Sequence, residues 1–498
     1  MTTENYDQII YRKQFFFGPQ KLEYPGWKSL QMPWGNWLST HPTLTVTQAK
    51  GNGIEVTLIG FILNPDSPAD SDQAILESLI GSAHSVDELI EATEPYGGRW
   101  AMIVSGGGSF VIFNDPAGTR TVFHHFDDAG RPWLASQPGL LADVFGFTES
   151  EESKEFRASP EFQKRTEIWW PGDATPFKEI RILLPNHYLN LRTREVKRFW
   201  PNKPLAAVPL NEGAQQAAAI LKGVLAAAHT RFPMALSLSS GLDSRAIFAA
   251  CRDFADEVFI FSMKYRHLND ESDDIRIPRE MTQSLMLEHH VFDCAPYQSE
   301  AFKQVFDKNV QGLKTDWANI AECRDANLPE DVVVLKGSIS EIMRCRYWSL
   351  GVYPRKVDLD YIVKLMGYVG GNTSLVTDSL GAWLPDAQVV ENYGYKLLDF
   401  LSWEIEVGKW YALGCTVFDI AREDFTPFVN RKFYNIMLGI DPKYRSYPMH
   451  VAQRELVNIL WPELSKFPYT PSRVLPKKKF TDGAFFDMLR SVKKKAGF

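Results

Sequence analysis

The rhythm of apolar and polar positions changes near residue 200. Before it, apolar residues come in short runs separated by turn signals. Gly53–Gly60, GIEVTLIG, alternates as a half-buried strand does. Arg99–Val104 and Phe110–Phe113, joined across the glycine turn Gly106–Gly108, predict a hairpin. Asp115–Gly118 has turn chemistry, Thr121–His124 reads as another strand, and Asp72–Ile80 predicts a helix. Residues 1–200 therefore read as an antiparallel α+β domain.

Residues 201–212, PNKPLAAVPLNE, carry three prolines and little periodicity, the composition of a linker. The remainder, 213–498, alternates element types. Ala214–Thr230 has a helical period, Met234–Leu238 is a short apolar strand, and Asp243–Cys251 is helical with Ile247, Phe248 and Cys251 on one face. Glu257–Phe261 (strand), Ile275–Leu287 (helix), His290–Asp293 (extended) and Asp331–Leu335 (strand) continue the pattern. Strands alternating with helices predict an α/β domain with a parallel sheet covered on both faces. From about residue 356 the pattern is mostly helical. There is no internal repeat or low-complexity segment.

At 498 residues the chain has room for two or three domains, and 32 Phe, 18 Tyr and 14 Trp can fill large cores. A formal net charge of −7 argues against nucleic acid as a partner. No apolar run is long enough to span a membrane, and the first residues have no secretory apolar region. Five scattered cysteines without a CxxC suit reduced thiols, and with them a cytoplasmic setting. His124-His125 and His289-His290 lie in strand-like contexts where neighbours face opposite ways, as structural histidines do.

The most informative segment is Leu236–Ser244. A buried strand runs into a tight turn, Ser239-Ser240-Gly241-Leu242-Asp243-Ser244, and a helix follows. Small residues let backbone N–H groups approach an anion, and the helix N-terminus adds partial positive charge. Ser239, Ser240 and Ser244 can donate to phosphate oxygens. A carboxylate at Asp243 suits a Mg²⁺ that bridges to those phosphates. The spacing is not that of a Walker loop. The alternative is an ordinary strand–helix turn with serine capping.

This loop resembles the SGGxDS pyrophosphate loop of the ATP pyrophosphatases, specifically the synthetase domain of asparagine synthetase. Tyr96–Ala101 with Asp115–His124 resembles that family's N-terminal glutaminase domain. Glu271–Asp274 with His289-His290, Val332–Glu341, and Glu423–Asn430 resemble later synthetase segments. The resemblance implies an Ntn-hydrolase-like antiparallel sandwich followed by an α/β PP-loop domain with a helical C-terminal part. It implies ATP and Mg²⁺ as cofactors, with the metal on Asp243 and Glu341. It places Leu238, Met263, Lys336 and Gly337 around adenine and ribose. It also implies a late lysine at the reacting centre, for which Lys466 and Lys477–Lys479 are the candidates; the Lys493–Lys495 tail reads as solvated.

Two departures matter. The family's glutaminase uses an N-terminal cysteine, but residue 2 is Thr2 and no cysteine precedes Cys251. The glutaminase-like domain is therefore expected to be inactive and to serve as a structural or docking unit, as in β-lactam synthetase, where the substrate's own amine replaces ammonia. In the Gly337–Glu341 segment, Ser338 and Glu341 replace the usual acidic residues. Further on, Glu404 and Glu406 would point apart on a helix. Arg344, Arg346 and Tyr347 could face a pocket for an acidic substrate group.

The expectation is a ligase that adenylates a small-molecule or peptide carboxylate and joins it to an amine. A separate ammonia source and an inactive scaffold are the alternatives. Homo-oligomerisation stays open.

Overall fold

The computed structural model describes residues 9–368 and 373–469. Two six-stranded antiparallel sheets form the first half. One has the order Arg181–Ile182, Phe123–Phe126, Pro132–Ala135, Phe15–Gly18, Trp37–Thr40, Lys28–Gln31. The other runs Val196–Arg198, His187–Asn190, Ser109–Asn114, Gly97–Gly106, Ile54–Leu63, Val46–Gly51. The strand Gly97–Gly106 shows how sequence sets this layering. Alternate side chains point to opposite faces. Ala101 and Ile103 meet Phe15, Phe17 and Leu38 of the facing sheet. Trp100, Met102 and Val104 meet Leu76, Leu79 and Leu89 of the helices Asp72–Ser82 and Val86–Ala92. The predicted hairpin is present, with Val104 opposite Val111.

The second half is built on a five-stranded parallel sheet of β1 (Met234–Ser237), β2 (Phe259–Lys264), β3 (His290–Asp293), β4 (Val333–Leu335) and β5 (Glu423–Phe425). All its pairings are parallel, in the order β3-β2-β1-β4-β5. The helix Leu210–His229 lays an alanine-rich face on this unit, burying Ala217, Leu221, Val224, Leu225 and Ala228. Helices dominate after residue 358, as the pattern predicts. The sequence does not reveal β5, whose three residues include two acids.

The stretch 201–212 is not a free tether. Leu205 and Val208 donate backbone bonds to Tyr393 and Gly439, and the helix begins at Leu210, just after Pro209. Proline bars its own residue from the helix interior but is tolerated at the start. The antiparallel half packs directly on the parallel half: Phe61, Leu63 and Trp200 share one core with Leu225, Leu236 and Phe425.

Candidate functional site

Strand order reverses direction between β1 and β4, so the loops leaving their carboxyl ends flank a crevice of the type in which open α/β sheets bind ligands. Both loops carry the residues singled out from the sequence. The first, Leu238–Gly241, leads into the helix Leu242–Ala250, with Gly241 as its N-cap. Ser240 replaces a glycine of the related loop without taking a positive φ, so its side chain brings no left-handed strain there.

The loop hydroxyls form a connected set. The Ser239 backbone N–H donates to Ser244 Oγ at 3.1 Å, and the Ser239 and Ser244 hydroxyls lie 3.0 Å apart. Gly241 N–H donates to Ser239 Oγ at 3.3 Å. Ser240 faces the other way, giving both its N–H (3.2 Å) and its hydroxyl (2.5 Å) to Asp274 Oδ1. Asp274 lies in the first turn of the helix Asp273–Ser284 that follows β2. In the sequence Asp274 falls within a resembling segment; its place as the loop's anchor comes from the fold.

The second loop sits against the first, backbone on backbone. A Cβ on Gly337 would lie 2.3 Å from Ser244 N and 2.6 Å from Ser244 Cα, so only glycine fits. Two residues on, Ile339 has φ +74°, a strained conformation for a β-branched residue. That turn delivers Ser340 and Glu341 to the loop. Ser340 donates to Asp243 Oδ1 at 2.5 Å.

Asp243 and Glu341, predicted to act together, meet across Arg344. Its Nη2 lies 2.5 Å from Glu341 Oε1 and 3.4 Å from Asp243 Oδ2. Burial pushes the Asp243 carboxyl up to about 6, against the pull of Arg344 and with the help of Glu341's charge. Burial would raise Glu341 too, but Arg344 and Arg346 outweigh it and hold Glu341 below the ordinary carboxylate range. Glu341 Oε2 is buried without a hydrogen-bond partner. Among the described residues no group of three or more His, Cys, Asp or Glu is placed to hold a metal. Two carboxylates with a spare oxygen still suit Mg²⁺, which usually takes one or two carboxylates and completes its shell with water and phosphate oxygens.

The remaining sequence candidates divide. Leu238 is core: it is 2% exposed, and its backbone bonds to Phe261 and Ser262. Met263 is half-buried in β2, beside Phe261 and Val334. Lys336 leaves the end of β4, pairs with Asp424 at 3.2 Å and lies 4.5 Å from the Phe418 ring centre. Lys466 is exposed and pairs with no described residue; Lys477–Lys479 and Lys493–Lys495 lie outside the described residues, as does Thr2. His289 shares a 2.9 Å hydrogen bond with Ser262, and burial lowers its pKa to about 4, so it is a neutral structural group.

Of the Arg344, Arg346 and Tyr347 group, two members are committed elsewhere. Arg346 grips Glu406 through Nε and Nη2, and Tyr347 donates to the same carboxylate at 3.0 Å. Glu404, pointing apart as expected, takes Arg198, Asn186 and Trp383 instead.

Arg245, next to Ser244, carried no signal in the sequence. It is fully buried and pairs with no carboxylate among the described residues. Its guanidinium donates to the carbonyls of Ser240, Leu464, Phe467 and Pro468 and lies 3.9 Å from the Tyr469 ring centre. It ties the last described stretch of chain to the back of the serine loop.

Residues 217–312 match the family described as asparagine synthase. That stretch contains the serine loop, Met263, Asp274 and His289 and ends before Lys336 and Glu341. No curated protein matches the chain. Among solved structures, glutamine phosphoribosylpyrophosphate amidotransferase from B. subtilis, complexed with ADP and GMP, is similar at 11% identity, covering 69% of this chain and 73% of that one, with a TM-score of 0.23. Glutamine-dependent NAD+ synthetase from Acinetobacter baumannii, in complex with ADP, is similar at 12% identity over 61% of this chain and 75% of that one, with a TM-score of 0.21. The allosteric regulatory enzyme of purine biosynthesis is similar at 12% identity, covering 56% of this chain and 66% of that one, with a TM-score of 0.23. The chain thus spans just under two thirds of that last enzyme. No helix among the described residues is long and apolar enough to cross a membrane.

Proposed function

We propose that this chain, asparagine synthetase-like over the stretch that matches, is an ATP-dependent ligase that adenylates a carboxylate and passes the acyl group to an amine. The observation that carries the reading is the meeting of two loops at the reversal of strand order. There a serine-lined helix start, donating N–H and O–H groups, stands beside the Asp243–Glu341 pair.

In the first step a carboxylate oxygen bonds to the α-phosphorus of ATP. The bond to the bridging oxygen breaks, and pyrophosphate leaves with the electron pair. Ser239, Ser244 and the N–H groups at the start of the helix Leu242–Ala250 would receive that charge. Asp274 holds Ser240 in place, and Gly337 lets the second loop support the first. Asp243 and Glu341 would hold Mg²⁺, whose contribution when bound is to neutralise phosphate charge. In the second step the amine nitrogen attacks the acyl carbon, AMP departs, and the amine's proton is lost. Positioning and charge neutralisation supply most of the acceleration in such chemistry.

Residue 2 is Thr and the first cysteine is Cys251, so the reading includes no glutaminase of the chain's own. The amine is then a substrate amine, or ammonia supplied from outside.

The test is ATP–pyrophosphate exchange screened over carboxylic acids, which reports the first step without knowledge of the amine. Exchange with one class of acid identifies the acyl substrate. Following it with ammonium and with larger amines separates the two sources of nitrogen. No exchange with any acid, together with no calorimetric binding of ATP·Mg²⁺, would instead favour a non-catalytic scaffold.

A further inference from the structure

We propose that Arg344 is a further leaving-group residue, whose guanidinium takes an oxygen of the departing pyrophosphate. The inference rests on the reading of the serine loop as a pyrophosphate cradle and adds a cation to it. Arg344 closes the turn Ser340–Met343 that brings Glu341 to the loop, so its direction is set by the same strained backbone. Nη2 alone is used, shared between Glu341 and Asp243, the latter a member of the loop. Among the described residues Nε and Nη1 have no hydrogen-bond partner, and the side chain keeps 11% of its surface exposed.

Three other cations of the same region, among the described residues, are committed. Arg346 is clamped by Glu406, Arg245 is sealed behind the loop by four carbonyls, and Lys336 pairs with Asp424 under aromatic rings. A guanidinium with the N–H groups of two nitrogens to spare can donate to phosphate oxygens, and its charge offsets that of the anion. The carboxylates on Nη2 fix its orientation and leave the N–H groups of Nε and Nη1 for separate hydrogen bonds to the ligand.

Calorimetry with inorganic pyrophosphate and Mg²⁺ on the full chain tests this. Arg344→Met should weaken pyrophosphate binding at least tenfold, in keeping with a lost charge-assisted pair. Arg344→Lys keeps a positive charge between Asp243 and Glu341, which protects the fold, but loses the spare Nε and Nη1 donors; its binding should weaken at least threefold. Arg346→Met should change the affinity less than twofold. Wild-type affinity in folded Arg344→Met or Arg344→Lys overturns the inference while leaving the loop reading in place. No pyrophosphate binding by the wild type overturns both.

Discussion

Two ionisable side chains make the site and its surroundings sensitive to pH in opposite senses. Asp243 is raised to about 6 by burial, above the value of about 4 that an aspartate has in an unfolded chain. Between those values the folded protein holds more proton than the unfolded one, so this residue's contribution to stability falls as pH rises from 4 to 6. Asp243→Asn should therefore gain thermal stability relative to wild type as pH rises through that window, while its ATP–pyrophosphate exchange falls at least a hundredfold. Full exchange in Asp243→Asn would remove the carboxylate from the mechanism. Lys409 behaves inversely. It is buried, donates to the Ala174 carbonyl at 2.6 Å, and desolvation lowers it to about 7. The unfolded chain then binds more proton between about pH 7 and 10, so stability should rise with pH across that interval. Thermal melts of Lys409→Met over the same interval should lack that rise; parallel curves would refute the assignment.

At the level of elements, the contact between the loops after β1 and β4 is the sensitive joint. Gly337→Ala places a methyl against the backbone of Ser244, which cannot yield as a side chain could. Nucleotide binding measured by calorimetry should drop at least tenfold in this variant, with a smaller loss in melting temperature. The joint was half legible in advance. Leu236–Ser244 announces a strand, a bend and a helix through small residues at fixed places, and Gly337 falls in a resembling segment. Asp274, Arg245 and Arg344 were not given these functions, because each depends on distances that a linear pattern does not contain. The same holds for β5. Asp424 is a buried acid that a strand tolerates only because Arg324 and Lys336, distant in sequence, neutralise it. The segment Leu401–Tyr411 is wound as a π-helix, and its acids are matched by Arg198 and Arg346 from elsewhere in the fold. Periodicity reported the strands and helices that bury one face, and missed those whose buried groups are charged.

Across the whole molecule, the antiparallel half is joined to the parallel sheet by a sealed set of ion pairs. Arg99 pairs with Asp419, while Arg120 and Lys13 pair with Glu423 at the start of β5. Burial would raise Glu423, but Lys13, Arg120 and Arg99 hold it well below the usual range. Removing one partner of such a pair leaves an uncompensated buried charge, a loss of about 3–5 kcal/mol. Asp419→Asn should accordingly lower the melting temperature. Scanning calorimetry of the wild type should show one cooperative transition, because the halves share both this network and the core around Phe61 and Trp200. Two separated transitions would mean that the first half folds on its own. A half bound this tightly acts as part of the scaffold under β5, whatever chemistry its relatives perform.

The hold of Arg245 on the carbonyls of Leu464, Phe467 and Pro468 makes this late stretch of chain a handle on the serine loop. A protein clipped at residue 463 would strand a sealed guanidinium behind Ser240, with three of its acceptors gone. Pyrophosphate affinity should then decline along with melting temperature, although no residue of the cradle has been altered.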